Sequence, residues 1–207
     1  MDPISVLPNP SLTAKGPFSE KFLSLGLTRF QDVCTHVKAM PYGPNSDNQD
    51  SRILFAEGRG TCTTKHGAIG HLAQELGLPV YKNLGFYRLE DSVVTGISPI
   101  LAPYSLSFIP QIHCFLEYET YRVDLTEGNC SGKNKTIEDY DFVVRVQPDL
   151  THDQHQNYYL EYLAKYRSLA PKLRELSDTQ VLGLLERCDR QTKYQCSIRT
   201  LAPTRQA

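Results

Sequence analysis

The 207-residue sequence has no tryptophan, only two methionines and no apolar run that approaches the length needed to span a bilayer. Its first fifteen residues lack the pattern of a secretory signal, in which a basic start precedes an apolar stretch. We therefore expect a protein that acts in the cytoplasm and has no membrane partner.

The sequence also lacks an excess of charge of either sign. It contains 22 Lys and Arg against 23 Asp and Glu, and no segment concentrates the basic residues. A nucleic-acid-binding surface needs such a concentration, so no nucleic-acid partner is expected. The glycine patterns typical of nucleotide and dinucleotide sites and the acidic loop typical of calcium sites are missing too, and we expect no cofactor.

Paired cysteines are absent as well. The chain has six cysteines, but none stands in a CxxC arrangement, which argues against a zinc ribbon and against a thioredoxin-type redox motif; they are residues 34, 62, 114, 130, 188 and 196. Reduced thiols are the expected state. Of the six, Cys34, Cys114 and Cys188 lie on apolar stripes and are expected to be small buried side chains.

A glycine-rich stretch at residues 58–66 delivers Cys62 to the start of a predicted helix. This helix continues through an apolar stripe at helical spacing and ends at Gly77; the stripe is Ile69, Leu72, Ala73 and Leu76. Strand-like segments follow at 80–89, 113–118, 121–126 and 142–146, the middle two joined by a hairpin turn at Glu119-Thr120. The pattern predicts an α+β fold in which the helix packs on an antiparallel sheet.

The predicted organisation is a single domain with three parts. Residues 1–20 contain four prolines and are interpreted as an irregular arm, residues 21–148 as the core, and residues 149–207 as a C-terminal helical extension packed on that core. Within the core, residues 90–111 are interpreted as a long connection, where Tyr104 and Gln111 are candidates for lining a cleft or donating to an oxyanion.

The position of Cys62 favours a nucleophilic thiolate, because unpaired N–H groups and the helix dipole at a helix start lower the pKa of a thiol. In a hairpin that turns at Glu119-Thr120, residues whose numbers add to 239 lie opposite each other, so His113 lies opposite Thr126. Asp124, two residues before Thr126, is then the diagonal neighbour of His113 on the same face of the sheet. Asp124 could then fix the tautomer of His113, which could serve Cys62 as a base. His66, one turn after Cys62, could flank the site, and Lys65 could help to hold a thiolate by its charge, but for both we expect a solvent-exposed residue without a role.

This order of elements resembles the transglutaminase-like superfamily of papain-type folds over residues 45–146. The resemblance implies a catalytic triad of Cys62, His113 and Asp124, with Phe115 at an aromatic position that is often tryptophan in the family. It also implies a cysteine-dependent enzyme that acts on a peptide or other amide. Peptide or isopeptide hydrolysis, deamidation and transglutaminase-like transfer to an amine all remain open.

Two other functions remain open from the sequence. One is a metal-binding protein in which Cys62, His66 and either His113 or Cys114 hold zinc or iron. The other is a transglutaminase-like domain that binds peptides without catalysis. The sequence leaves the oligomeric state open as well.

Overall fold

The structure is a computed structural model that describes residues 2–126, 132–137 and 139–201, with side chains up to residue 196. The helices are α1 (Pro17–Ser24), α2 (Phe30–Ala39), α3 (Ile53–Glu57), α4 (Cys62–Leu76), α5 (Ser98–Leu101), α6 (His152–Leu169), α7 (Pro171–Arg174) and α8 (Asp178–Leu201). The strands are β1 (Val80–Leu89), β2 (Ile109–Tyr118), β3 (Tyr121–Val123) and β4 (Phe142–Arg145). Short 3-10 turns cover Pro3–Val6 and Ala102–Tyr104.

The four strands form one antiparallel sheet in the order β3-β2-β1-β4, so the predicted α+β class is confirmed. In the hairpin, Leu116 pairs with Val123 and Tyr118 with Tyr121, which is the register predicted from the sequence. Its turn places Glu119 in the left-handed region with φ of 53°. The predicted start of β2 at residue 113 was late, because the strand already begins at Ile109.

The chain divides into two compact units that alternate along the sequence. The first contains the described residues of Met1–Gly85, His113–Asn129 and Val143–His152, and the second those of Phe86–Ile112, Cys130–Phe142 and Asp153–Ala207. The predicted division into an arm, a core and a C-terminal extension stays a prediction.

The core of the first unit is built on α2 and α4. On α2, Phe30, Val33, Cys34 and Val37 are fully buried in it. Of the stripe predicted on α4, Ile69, Leu72 and Ala73 are fully buried and Leu76 is partly buried. The interpretation of residues 1–20 as irregular missed the turn at Pro3–Val6 and the start of α1 at Pro17. Ile4, Leu7 and Phe18 from this segment are buried in the same core.

The N-terminus of α1 is capped by a side chain from the end of α4. The two carboxylate oxygens of Glu75 accept hydrogen bonds from the backbone N–H groups of Phe18, at 2.9 Å, and Ser19, at 2.7 Å. The first N–H groups of a helix have no partner within it, and this carboxylate supplies acceptors for two of them. Its negative charge also complements the positive N-terminal end of the helix dipole. The N-terminal segment is therefore tied to α4 by both apolar packing and hydrogen bonds.

In the second unit, α6 and α8 contribute much of the apolar cluster. Tyr159 of α6 is buried and donates a hydrogen bond to the carbonyl of Pro110 at 3.0 Å. The N-terminus of α8 is capped by Ser177 and Gln180, which exchange hydrogen bonds between side chain and backbone. The stretch interpreted as a connection, 90–111, also contains α5 and the turn at Ala102–Tyr104.

Two glycines give a matched test of packing. A Cβ atom at Gly67 of α4 would overlap Ser51 Oγ and lie 2.8 Å from the carbonyl oxygen of Pro148, whereas one at Gly183 of α8 would meet nothing within 4 Å. We expect Gly67→Ala to lower the free energy of unfolding by about 2 kcal/mol, because overpacking forces backbone to move. Gly183→Ala should raise it by about 0.5 to 1 kcal/mol through helix propensity. Urea unfolding of both variants measures the two changes in free energy of unfolding, which should have opposite signs. Equal changes would contradict the close approach of Ser51 and Pro148 to Gly67.

Candidate active site

Cys62 is the first residue of α4 and is half-buried. The preceding turn needs its glycines: Gly58 has a φ of 62°, and a Cβ at Gly60 would lie 2.7 Å from Thr64 Oγ1. Thr64 Oγ1 accepts a hydrogen bond from the N–H of Thr61, the N-cap residue, at 3.1 Å. The predicted placement of Cys62 at a helix start is thus confirmed.

A short chain of hydrogen bonds to residues earlier in the sequence holds this turn in place. Thr64 Oγ1 donates to Asn45 Oδ1 at 2.8 Å, and Asn45 Nδ2 donates to Glu57 Oε2 at 2.9 Å. Hydrogen bonds from Ser46 and Asn45 lower the pKa of Glu57 to about 2, so the carboxylate is ionised at neutral pH. The fixed charge and the amide therefore immobilise the segment that presents Cys62.

His113 and Asp124 are in direct contact, with His113 Nε2 at 2.6 Å from Asp124 Oδ2. The second carboxylate oxygen accepts both the N–H and the hydroxyl of Thr126, each at 2.7 Å. Burial opposes ionisation of Asp124, but the charge and hydrogen bond of His113, with smaller effects of His66 and Thr126, hold the pKa of the carboxyl well below its usual range. Asp124 is thus a fixed carboxylate that orients the His113 ring.

His66 connects these residues to the start of α4. Its Nε2 accepts the backbone N–H of Leu125 at 2.8 Å, and its Nδ1 lies 2.7 Å from the carbonyl oxygen of Cys62. A backbone N–H can only donate, so Nε2 carries no proton and Nδ1–H donates to Cys62. Burial is the main cause that lowers the pKa of His66 to about 4, and the ring is neutral at pH 7.

The same ring borders the other two candidate residues. His66 Nε2 lies 3.5 Å from Asp124 Oδ1, and the ring centroids of His66 and His113 are 6.3 Å apart. The interpretation of His66 as a surface residue was wrong, since the side chain is fully buried. Its spacing of four residues from Cys62 was the available signal, because it places both side chains on one helix face.

Cys114 lies beside the start of α4 on the strand side. Thr63 Oγ1, from the residue after Cys62, lies 3.9 Å from the Cys114 sulfur. The neighbouring Cys62 thiol and, after it, burial raise the pKa of the Cys114 thiol well above its usual value. Cys114 is buried, as expected from its apolar stripe, but its position beside the start of α4 was not foreseen.

Two buried lysines lie close to the start of α4. Lys82 Nζ donates to the carbonyls of Thr63, at 3.1 Å, and Pro148, at 2.7 Å. Lys65 was expected in solvent, yet it is buried and its Nζ donates to the carbonyls of Lys38 and Met40 at the end of α2. Burial lowers the pKa of Lys65 to about 8. Lys65 therefore fixes α4 to α2 rather than holding a thiolate.

Tyr104 and Gln111, the candidates for a cleft or an oxyanion site, lie in the second unit. Gln111 Nε2 donates to Asp189 Oδ1 at 2.8 Å, and its Oε1 accepts the N–H of Ile112 at 2.7 Å. Both the nitrogen and the oxygen of the Gln111 side-chain amide therefore already have hydrogen-bond partners. Tyr104 is half-buried and packs against the apolar cluster of its unit.

Comparisons of the chain with protein-family models, with curated proteins and with solved structures found no match. No group of three or more His, Cys, Asp or Glu in the described ranges is arranged to hold a metal ion. Both ring nitrogens of His66, a ligand in the metal alternative, are already hydrogen bonded. Of the described helices, none combines the length and the apolar character that crossing a membrane requires.

Proposed function

We propose that this protein is a cysteine-dependent acyl-transfer enzyme of transglutaminase-like fold that acts on an amide carbonyl through Cys62, His113 and Asp124. The observation that carries the proposal is the 2.6 Å contact between His113 and Asp124. His66 joins this pair to the helix start that presents Cys62. A nucleophile at a helix start, a base and an orienting carboxylate are the parts that covalent acyl transfer requires.

In this mechanism, Asp124 accepts the Nε2 proton of His113, which leaves Nδ1 as the basic nitrogen. That nitrogen takes the proton of the Cys62 thiol, and the thiolate attacks the amide carbon. The oxyanion is stabilised by the backbone N–H of Cys62, one of the N–H groups that a helix start directs outward. The His113 imidazolium then protonates the leaving amine as the C–N bond breaks, and a thioester on Cys62 remains.

Water or an amine resolves the thioester. His113 removes a proton from the incoming group, the new bond forms at the acyl carbon, and the proton returns to the Cys62 sulfur as the thioester breaks. Water gives a hydrolase or deamidase, whereas an amine gives a transglutaminase-like product. The chemistry at Cys62 is the same in all these cases.

The pH dependence of iodoacetamide alkylation at Cys62 tests the nucleophile and its base. We expect alkylation of the unmodified protein to level off below pH 7, because a His113 imidazolium stabilises the thiolate. In His113→Ala the midpoint should rise towards the ordinary thiol pKa of about 8.5. The alkylated peptide, residues 60–65, is followed by mass spectrometry, and half-buried Cys196 serves as the internal control.

A profile at Cys62 that is the same in both proteins would contradict the proposed pair and favour a binding domain without catalysis. If the profiles differ as expected, a panel of peptide amides is assayed for release of ammonia or amine, with Cys62→Ser as the inactive variant. Incorporation of a labelled primary amine separates transfer from hydrolysis.

A further inference from the structure

Thr126 lies beside the contact between His113 and Asp124. The residue is only 3% exposed, and its hydroxyl and backbone N–H both donate to Asp124 Oδ1 at 2.7 Å. Thr126 Oγ1 also lies 3.4 Å from His113 Nε2. The hydroxyl is therefore next to both members of the pair, although the mechanism above gives it no part.

The hydroxyl of Thr126 has a single proton, which is already donated. An ionised carboxylate can only accept, so the 2.7 Å contact with Asp124 Oδ1 uses that proton. Oγ1 therefore presents a lone pair to His113 Nε2, and Asp124 Oδ2, at 2.6 Å, presents another. A ring with a lone pair on Nε2 would face two acceptors, whereas a ring with a proton on Nε2 can donate to them.

The same hydroxyl restrains the rotation of the carboxylate. While Thr126 donates twice to Oδ1, Oδ2 is the oxygen of Asp124 that faces the histidine. Hydrogen bonds to an ionised group are stronger than those between neutral groups, so the hydroxyl contributes much of this restraint. The backbone N–H remains whatever residue replaces Thr126, and the contribution of the hydroxyl can therefore be tested by itself.

We propose that the Thr126 hydroxyl is a positioning group that holds Asp124 in one rotation and His113 in the tautomer with its proton on Nε2. This tautomer leaves Nδ1 as the basic nitrogen of the ring. The consequence for acyl transfer rests on the proposed function. The tautomer itself does not, because it is measured on the histidine ring.

A second arrangement of hydroxyl, carboxylate and histidine in the same unit provides a matched control. The N–H and the hydroxyl of Ser51 both donate to Asp149 Oδ1, and His71 Nε2 lies 2.8 Å from Asp149 Oδ2. His71 is more than two helical turns from the start of α4. Ser51→Ala therefore removes an equivalent hydroxyl and leaves the candidate site intact.

The first readout is the tautomer of His113, from ¹⁵N–¹H correlation spectra of the full chain labelled at histidine. The spectra are recorded in the Cys62→Ser background at about pH 9, where an imidazole without a thiolate partner is neutral. The signals that disappear in His113→Gln assign the ring. We expect the Nε2–H tautomer with Thr126 or with Thr126→Ser, and ¹⁵N shifts that average both tautomers in Thr126→Val, whose methyl group does not repel a lone pair on Nε2.

The second readout is the rate of iodoacetamide alkylation of Cys62 at pH 7, in proteins that retain the cysteine. Thr126→Val should slow it about tenfold, as one hydrogen bond to a charged group is lost. Thr126→Ala should slow it equally, because the effect follows the hydroxyl and not the shape of the side chain. Thr126→Ser should restore the rate of the unmodified protein, and Ser51→Ala should not change it.

The same tautomer of His113 in Thr126→Val and Thr126→Ser would overturn the inference, and so would equal effects of Thr126→Val and Ser51→Ala on Cys62. The proposed function can fail separately. A tautomer that follows the hydroxyl in a protein without amide turnover would support the inference and count against the enzyme. Amide turnover that Thr126→Val leaves unchanged would support the enzyme and overturn the inference.

Discussion

Asp124→Asn should lower the alkylation rate of Cys62 at pH 7 by about 30-fold, because a thiol with an ordinary pKa near 8.5 is only ~3% thiolate at that pH. Asn retains the shape of the side chain but has one acceptor oxygen. In the unmodified protein the N–H and hydroxyl of Thr126 both donate to Asp124 Oδ1. In the variant, the single oxygen of Asn should therefore turn towards Thr126. The amide nitrogen then faces His113 Nε2, where the carboxylate accepted a proton.

A donor opposite Nε2 forces His113 to carry its proton on Nδ1, so Nδ1 is no longer the basic nitrogen that the proposed mechanism uses to take the Cys62 proton. The amide turnover proposed for this protein should fall by about 10⁴-fold for the same reason, as expected when the orienting carboxylate of a triad is replaced by an amide. Alkylation rates and turnover are measured on the same preparations, with far-ultraviolet circular dichroism to verify folding.

Asp149→Asn is the matched control. Asp149 is also in the first unit and also pairs with a histidine, His71, at 2.8 Å. Its replacement should leave the pH profile of Cys62 unchanged. If both variants slowed alkylation equally, the effect would come from general loosening of the unit, and the role assigned to Asp124 would be wrong.

His66→Gln should abolish a loss of stability of ~3 kcal/mol between pH 7 and pH 4, because the folded protein resists protonation of this ring in that range and the unfolded chain does not. The pKa of His66 falls from 6.5 to about 4 on folding, mainly through burial. Between these values the unfolded chain binds a proton that the folded protein does not. The unmodified protein therefore loses stability as the pH falls through this window, and Gln removes this loss.

Urea unfolding at half-unit steps of pH gives the free energy of unfolding as a function of pH. The effect appears as a change in the slope of this free energy against pH, which does not depend on any constant destabilisation by the substitution. Exposed His152 provides the control, since His152→Gln should retain the slope of the unmodified protein. Asp124 contributes separately below about pH 4, where the unfolded carboxyl takes up a proton first. An unchanged slope in His66→Gln would contradict the assignment of a neutral, buried ring.

Features set by local chemistry could be predicted from the sequence. The bounds of α4 follow from a glycine turn, an apolar stripe and a terminal glycine, and the structure places its ends at Cys62 and Leu76. The hairpin register follows from the turn at Glu119-Thr120 and from the alternation of side chains. The contact between His113 and Asp124 required only that register.

Features set by packing between distant segments could not be predicted. His66 and Lys65 have ordinary polar side chains, and only the packing of α4 against neighbouring elements makes them buried. The contact of Cys114 with Thr63 depends on where β2 meets the helix start. The prolines near the N-terminus suggested an irregular arm. Local propensity could not show that the apolar residues between these prolines are buried in the core of the first unit.

The hydrogen bonds of Glu75 to Phe18 and Ser19 make the N-terminal segment an integral part of the unit that contains Cys62. A shortened version that begins at residue 21, where the predicted core begins, would expose the core surface that Ile4, Leu7 and Phe18 cover. It would also leave the Glu75 carboxylate, at the C-terminal end of α4, without its two donors. Deletion mapping and tag placement should therefore treat these first residues as part of the folded unit and not as a tail.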